Sequence, residues 1–97
     1  MALLGEEDLN AALTERPDWS HDGDAITREF ELPDFAAAIA LINEVAAAAE
    51  EADHHPDIDL HGWNKVRFTL STHSEGGLTS NDFALAGTID ALAVSGG

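Results

Sequence analysis

Histidine titrates near pH ~6.5, so it is the side chain best suited to carry protons at neutral pH. This sequence holds five histidines in 97 residues. Three of them are organised. His54 and His55 are adjacent and precede Pro56, and His73 stands one residue past the alternating segment Lys65 to Thr72. By parity His73 continues the polar side of that segment, after Lys65, Arg67, Thr69 and Ser71, and is expected to point away from the apolar side. Two imidazoles delivered from different elements to one cleft form a general acid–base pair: one protonates a leaving group while the other accepts a proton.

Two carboxylates sit at useful spacings. Glu50 is four residues before His54, within side-chain reach on a helix, and is expected to orient that ring. Asp82 closes the segment Thr79-Ser80-Asn81-Asp82, which fits a helix-starting capping box with the acid at its third position. Both also have ordinary explanations, since acids are abundant here and a cap needs no second role. His54 would likewise suit the negative end of a helix dipole, although capping explains two adjacent histidines and a proline less well. His21 and His61 stand alone near turns and read as solvated surface residues.

Other chemistries find little support. There is no cysteine, which excludes thiol nucleophiles, thiolate metal sites and disulfides. Neighbouring residues on a helix diverge by ~100°, so His54 and His55 would rarely share an ion, and no His-x-x-x-His pair occurs. A metal centre is therefore not expected, even with carboxylates plentiful. No Gly-x-Ser-x-Gly elbow is present, and Gly76-Gly77 lacks the lysine of a phosphate loop.

The elements that must position these residues follow from pattern. Glu6 to Thr14 reads as a short helix with Leu9 and Leu13 on one face, acids in its first turn and Pro17 as its stop. Trp19 to His21 begins a strand, Asp22-Gly23-Asp24 is a hairpin signal, and Ala25 to Leu32 alternates. Arg28 is the one polar residue on the apolar parity of that segment. Asp34 is the expected N-cap of a long helix ending near Asp53, ahead of Pro56. Its inward stripe is expected at Phe35, Ile39, Ile42, Ala46 and Ala49. Asp57 to Leu60 is a brief strand with a turn at His61-Gly62, and Lys65 to Thr72 is the clearest strand. Ser74 to Leu78 is a loop. A last helix follows with Leu85, Ile89 and Leu92 inward, and Ser95-Gly96-Gly97 is expected to fray. The order α-β-β-α-β-β-α, with hairpin-like strand pairs, predicts an α+β fold whose antiparallel sheet is covered on one face.

Length and composition bound the rest. A chain of 97 residues, 44% apolar, is expected to form one domain over residues 1–97 with a small core that self-association would help. Nineteen acids against four Lys and Arg give a net charge of −15. Such a surface repels nucleic acid and anionic lipid. No apolar run approaches the ~20 residues that span a bilayer. Met1 to Glu7 lacks the basic start of a secretory signal. With cysteine absent, the reducing cytoplasm is the expected compartment.

Taken in order, Glu50-Glu51-Ala52-Asp53-His54-His55-Pro56, Trp63-Asn64-Lys65-Val66, Leu70-Ser71-Thr72-His73, Gly77-Leu78-Thr79 and Asp82 resemble the pterin-4a-carbinolamine dehydratases. The likeness extends upstream to Trp19 and to Phe30 through Phe35-Ala36-Ala37-Ala38, so it covers nearly the whole chain. It implies a four-stranded antiparallel sheet with three helices on one face, in a homodimer or homotetramer. It also implies dehydration of a 4a-hydroxytetrahydropterin to a quinonoid dihydropterin, with no metal or cofactor. The family's active-site histidines fall on His54, His55 and His73. Its substrate-binding positions fall on Pro56, Ser71, Thr72, Glu50 and Asp82, with main-chain contacts at Ser71 and Thr72. The residues fit such a reaction with His54 and His73 moving protons and His55 orienting the pterin. Two departures stand out: Trp63 where tyrosine is common, and one extra residue between Pro56 and Asn64, expected to be absorbed at His61-Gly62. The competing implication is a non-catalytic dimeric binding or assembly factor, because some relatives keep the fold for such roles.

Overall fold

Asp34 starts the longest helix as its short acceptor side chain predicts: in the computed structural model, which describes residues 3–96, its carboxylate accepts from the Ala37 N–H at 2.7 Å. Around that helix the chain forms α1 (Glu6–Glu15), β1 (Ser20–Asp22), β2 (Ala25–Glu31), α2 (Phe35–Ala52), β3 (Asp57–His61), β4 (Lys65–Leu70), a 3-10 turn (His73–Glu75) and α3 (Ser80–Gly96). The element order is the expected one. The backbone of α3 continues through Ser95 and Gly96, where fraying was expected, and Gly97 lies outside the described residues.

The four strands form one antiparallel sheet in the order β1-β2-β4-β3. Register pairs Ile26 with Leu70, Arg28 with Phe68, and Phe30 with Val66, while Leu60 faces Val66 from the other side. Alternation then sets one apolar and one polar face. Ile26, Val66, Phe68 and Leu70 are completely buried, and Leu85, Ala86 and Ile89 of α3 complete the core over them. Phe30 and Phe68 meet edge-to-face at 5.9 Å between centroids, the arrangement the ring quadrupole favours. The opposite face carries Thr27, Glu29, Lys65, Arg67 and His61. There the His61 Nε2 lies 2.8 Å from Glu29 Oε1.

Arg28, the polar residue on the apolar parity, is held by chemistry from α3. Its guanidinium donates to Asp90 Oδ1 at 2.8 Å and lies 4.3 Å over the Phe30 ring. Asp90 also accepts from Trp19 Nε1 at 2.9 Å and from Arg16 at 3.3 Å. One carboxylate thus ties the α1–β1 link, the sheet and α3 together.

The inward stripe of α2 agrees with expectation at Ile42 and Ala49 and differs elsewhere. Ala38, Leu41, Val45 and Ala49 are buried, whereas Phe35 is 53% and Ile39 36% exposed. Between Phe35 and Ala49 only Asn43 and Glu44 are polar. Two apolar stripes therefore compete, and tertiary packing selects the one rotated by part of a turn. Smaller shifts occur at element ends. β4 stops at Leu70, and Thr72 forms an isolated bridge with Gly77. The β3–β4 turn takes in Trp63 as well as Gly62, both left-handed at φ 60° and 56°. Asn64 anchors that turn by donating its side-chain amide to the Leu32 carbonyl at 3.0 Å.

Candidate active site

The C-terminal turn of α2 decides where the histidines go. Asp53 adopts a left-handed conformation, φ 52° and ψ 42°, which Asp tolerates better than most residues. Its N–H reaches the Glu50 carbonyl at 3.3 Å and the His54 N–H reaches the Ala49 carbonyl at 3.1 Å. This is the Schellman closure of a helix, built on Asp in place of Gly. After it the helical phase is lost, and the expected Glu50–His54 pair is lost with it. Glu50 instead accepts from His55 Nε2 at 2.7 Å, in an exposed pair. His54 turns inward, its side chain 12% exposed, and sets its Nε2 2.6 Å from Asp82 Oδ1.

Asp82 is positioned by the start of α3. Thr79 is the N-cap: its Oγ1 accepts from the Asn81 N–H at 3.2 Å, and its own N–H donates to Asp82 Oδ2 at 2.9 Å. The capping box expected from Thr79-x-x-Asp82 is therefore present and spends only one carboxylate oxygen. The other oxygen holds His54. The Thr72 hydroxyl donates to Asp82 Oδ2 at 2.8 Å and lies 2.8 Å from Thr79 Oγ1. Thr79 and Asp82 are completely buried and Thr72 nearly so. A buried carboxylate needs such partners, and the positive end of the α3 dipole adds to them.

The remaining candidate residues flank His54 and Thr72 along the chain. Pairing between β3 and β4 ends at Asp57↔Thr69, and the same register extended outward would set His55 opposite Ser71 and His54 opposite Thr72. Ser71 turns its hydroxyl to the Asp24 carbonyl at 2.8 Å. His73 follows Thr72 directly but does not extend the strand parity; it opens the 3-10 turn and is exposed. Pro56 is half-buried ahead of β3. A cleft of about 330 Å³ opens between the end of α2 and the first turns of α3, lined among others by Glu51, Ala52, His54, Asn81, Ala84 and Thr88. That volume lies at the small end of ligand sites, roughly 300–1,000 Å³. His54 borders it, whereas His55 and His73 do not. Thr79, bonded to Asp82, and Asn81, which lines the cleft, were not expected beside this group, because their types are fully explained by the cap. His21, expected to be a solvated surface residue, is exposed and closes its own hairpin by donating from Nε2 to the Gly23 carbonyl at 2.8 Å, whereas His61, expected likewise, is half-buried beside Glu29.

The family model described as pterin 4 alpha carbinolamine dehydratase matches residues 2–92. The chain belongs to this family. A protein of Nocardia farcinica, itself only provisionally named a pterin-4-alpha-carbinolamine dehydratase, is 55% identical over 94% of this chain and 95% of its own length. One of Chloroflexus aurantiacus with the same provisional name is 50% identical over 95% of this chain and 98% of its own. Among solved structures, a transcriptional coactivator/pterin dehydratase from Brucella melitensis superposes with a TM-score of 0.86 at 40% identity, covering 94% of this chain and 98% of that one. A pterin dehydratase-like protein identified as a RuBisCO assembly factor in the alpha-carboxysome is more distant. It has a TM-score of 0.64 at 28% identity, covering 77% of this chain and 86% of that one. The α-β-β-α-β-β-α order with a four-stranded antiparallel sheet is thus the fold of a pterin dehydratase-family member.

Proposed function

We propose that this protein dehydrates a 4a-hydroxytetrahydropterin to the quinonoid dihydropterin by histidine acid–base catalysis. The observation that carries this reading is the buried Asp82–His54 pair, 2.6 Å apart, at the edge of a cleft of small-molecule size. The reaction breaks the C4a–O bond, removes the N5 proton and forms the C4a=N5 double bond, so water is the only other product. It needs one group to protonate the departing hydroxyl and one to accept the N5 proton. His54, fixed by Asp82, and His73, one residue beyond the Thr72 that touches the same Asp82, supply the two groups from different elements. His55, tethered by Glu50, orients the pterin, with Pro56 and the main chain of Ser71 and Thr72 along its edge. Positioned proton transfer of this kind contributes ~10²- to 10⁴-fold in rate.

The reading has the protein acting in the cytoplasm as a homodimer or homotetramer, without cofactor. Two features support self-association: Phe35 and Ile39 leave an apolar strip exposed on α2, and β1 and β3 are edge strands. Among the described residues no helix is long and apolar enough to cross a membrane.

The second reading is a non-catalytic binding or assembly factor that keeps the fold. The relative identified as a RuBisCO assembly factor favours it. A direct dehydration assay on synthetic 4a-hydroxytetrahydropterin separates the two. Turnover above the buffer rate that collapses in His54→Ala supports the enzyme. Indistinguishable rates for folded wild type, His54→Ala and buffer leave only the binding role.

A further inference from the structure

From the buried polar group behind the cleft we infer that Thr79 and Thr72 form a one-way hydroxyl relay that fixes which nitrogen of His54 carries its proton. The direction of each bond follows from donor counting. The Thr79 N–H can only donate, and it donates to Asp82 Oδ2. Thr72 has one hydroxyl proton, and it is spent on the same Oδ2. The 2.8 Å contact between the two threonine oxygens must therefore be filled by the Thr79 proton, donated to Thr72. Thr79 Oγ1 in turn accepts from the Asn81 N–H. Each hydroxyl donates once and accepts once, and reversing any one bond would leave a buried group unpaired.

The relay ends on one oxygen of a carboxylate, and this is its consequence for chemistry. With Oδ2 taken by two donors, Oδ1 is the oxygen presented to His54, and a carboxylate only accepts. The ring proton then sits on Nε2, and Nδ1 is the atom left to accept a proton at the cleft. Thr72 and Thr79 are in this sense positioning residues. They act on His54 through Asp82, from the isolated bridge after β4 and from the α3 cap, while the Schellman turn of α2 supplies the ring. This deepens the proposed dehydratase reading and rests on it for its catalytic meaning. The tautomer itself does not depend on substrate.

Asp82→Asn gives the sharpest test. The two donors on Oδ2 will hold the amide oxygen in that place, which aims the amide NH₂ at His54 Nε2 and forces the ring proton to Nδ1. Nitrogen-15 NMR of the imidazoles reads this directly, with the His54 signals assigned by their loss in His54→Gln. Spectra are recorded near pH ~9, above the ordinary imidazole range. Wild type is expected to show Nε2–H, Asp82→Asn to show Nδ1–H, and Asp82→Asn combined with Thr72→Val, where one donor fewer holds the amide oxygen and the amide can turn, to show a mixture. Asp82→Asn combined with Thr72→Ser, which keeps the hydroxyl, is expected to return the Nδ1–H pattern of Asp82→Asn alone. In turnover, Asp82→Asn should lose roughly 10³- to 10⁴-fold in kcat, the scale of a histidine held in the wrong tautomer. Thr72→Val should lose about tenfold with little change in KM, and Thr72→Ser should restore most of it. A wild-type ring protonated on Nδ1 overturns the relay even if no variant folds. So does an Asp82→Asn protein that folds and keeps Nε2–H. If the tautomers shift as stated but no protein turns over pterin, the relay stands and the dehydratase reading fails.

Discussion

His54 Nε2 lies 2.6 Å from Asp82 Oδ1, although 28 residues separate the two in the chain. The pair joins the end of α2 to the first turn of α3, and both partners are largely removed from solvent. An imidazole fixed in this way is suited to proton transfer.

His54→Ala and His73→Ala are each expected to lower kcat by ~10²- to 10⁴-fold. Their combination should cost less than the product of the two, because the groups act in one proton-transfer step. His21→Ala serves as the control, since that ring only closes the β1–β2 turn. Steady-state kinetics with folding followed by circular dichroism checks this. Wild-type turnover in both folded single variants would end the acid–base assignment.

His55→Ala is expected to raise KM with kcat largely retained, because the ring is 57% exposed and pairs with an exposed Glu50. Glu50→Gln should change stability by no more than ~0.5 kcal/mol, as for other exposed ion pairs. Kinetics as a function of substrate concentration and urea melts of the two variants give both answers. A kcat loss in His55→Ala as large as that of His54→Ala would place His55 in the proton-transfer step.

Asp90→Ala is expected to destabilise the fold by about 1–3 kcal/mol, since it leaves a buried indole N–H without its acceptor and takes a carboxylate from two guanidinium groups. Trp19, Arg16 and Arg28 all donate to this one carboxylate, whose side chain is 19% exposed. The midpoint of urea unfolding should fall with the slope unchanged. An unchanged midpoint would show that the cluster forms at no net gain.

Sedimentation is expected to give a dimer or tetramer at micromolar concentration, with association stronger in high salt. A net charge of −15 per chain opposes assembly at low ionic strength, where the Debye length is long. Ile39→Glu, on the exposed strip of α2, should weaken that association. Monomer mass in both salt conditions would contradict the proposal.

Much of this protein was legible from its residues alone. Alternation from Lys65 to Thr72 and from Ala25 to Leu32 marked the two central strands, which the structure ends at Leu70 and Glu31, because a strand has a side-chain period of two. Asp34 and Thr79-x-x-Asp82 marked two helix starts, because orphan N–H groups at a helix start demand short acceptors. His54-His55-Pro56 with a following His73 marked the proposed site, and of these histidines His54 is the one that borders the cleft among the described residues. The stripe of α2 was legible only at Ile42 and Ala49, since an almost wholly apolar segment offers two faces and only the shape of the sheet chooses between them. The partner of His54 was not legible either. Spacing along a helix pointed to Glu50, but one left-handed residue, Asp53, ends the phase and hands Glu50 to His55. Asp82 reaches His54 only because α2 and α3 pack side by side over the sheet. Contacts of that sequence separation are set by the packed core, whereas local spacing can report only what the backbone does within a turn or two.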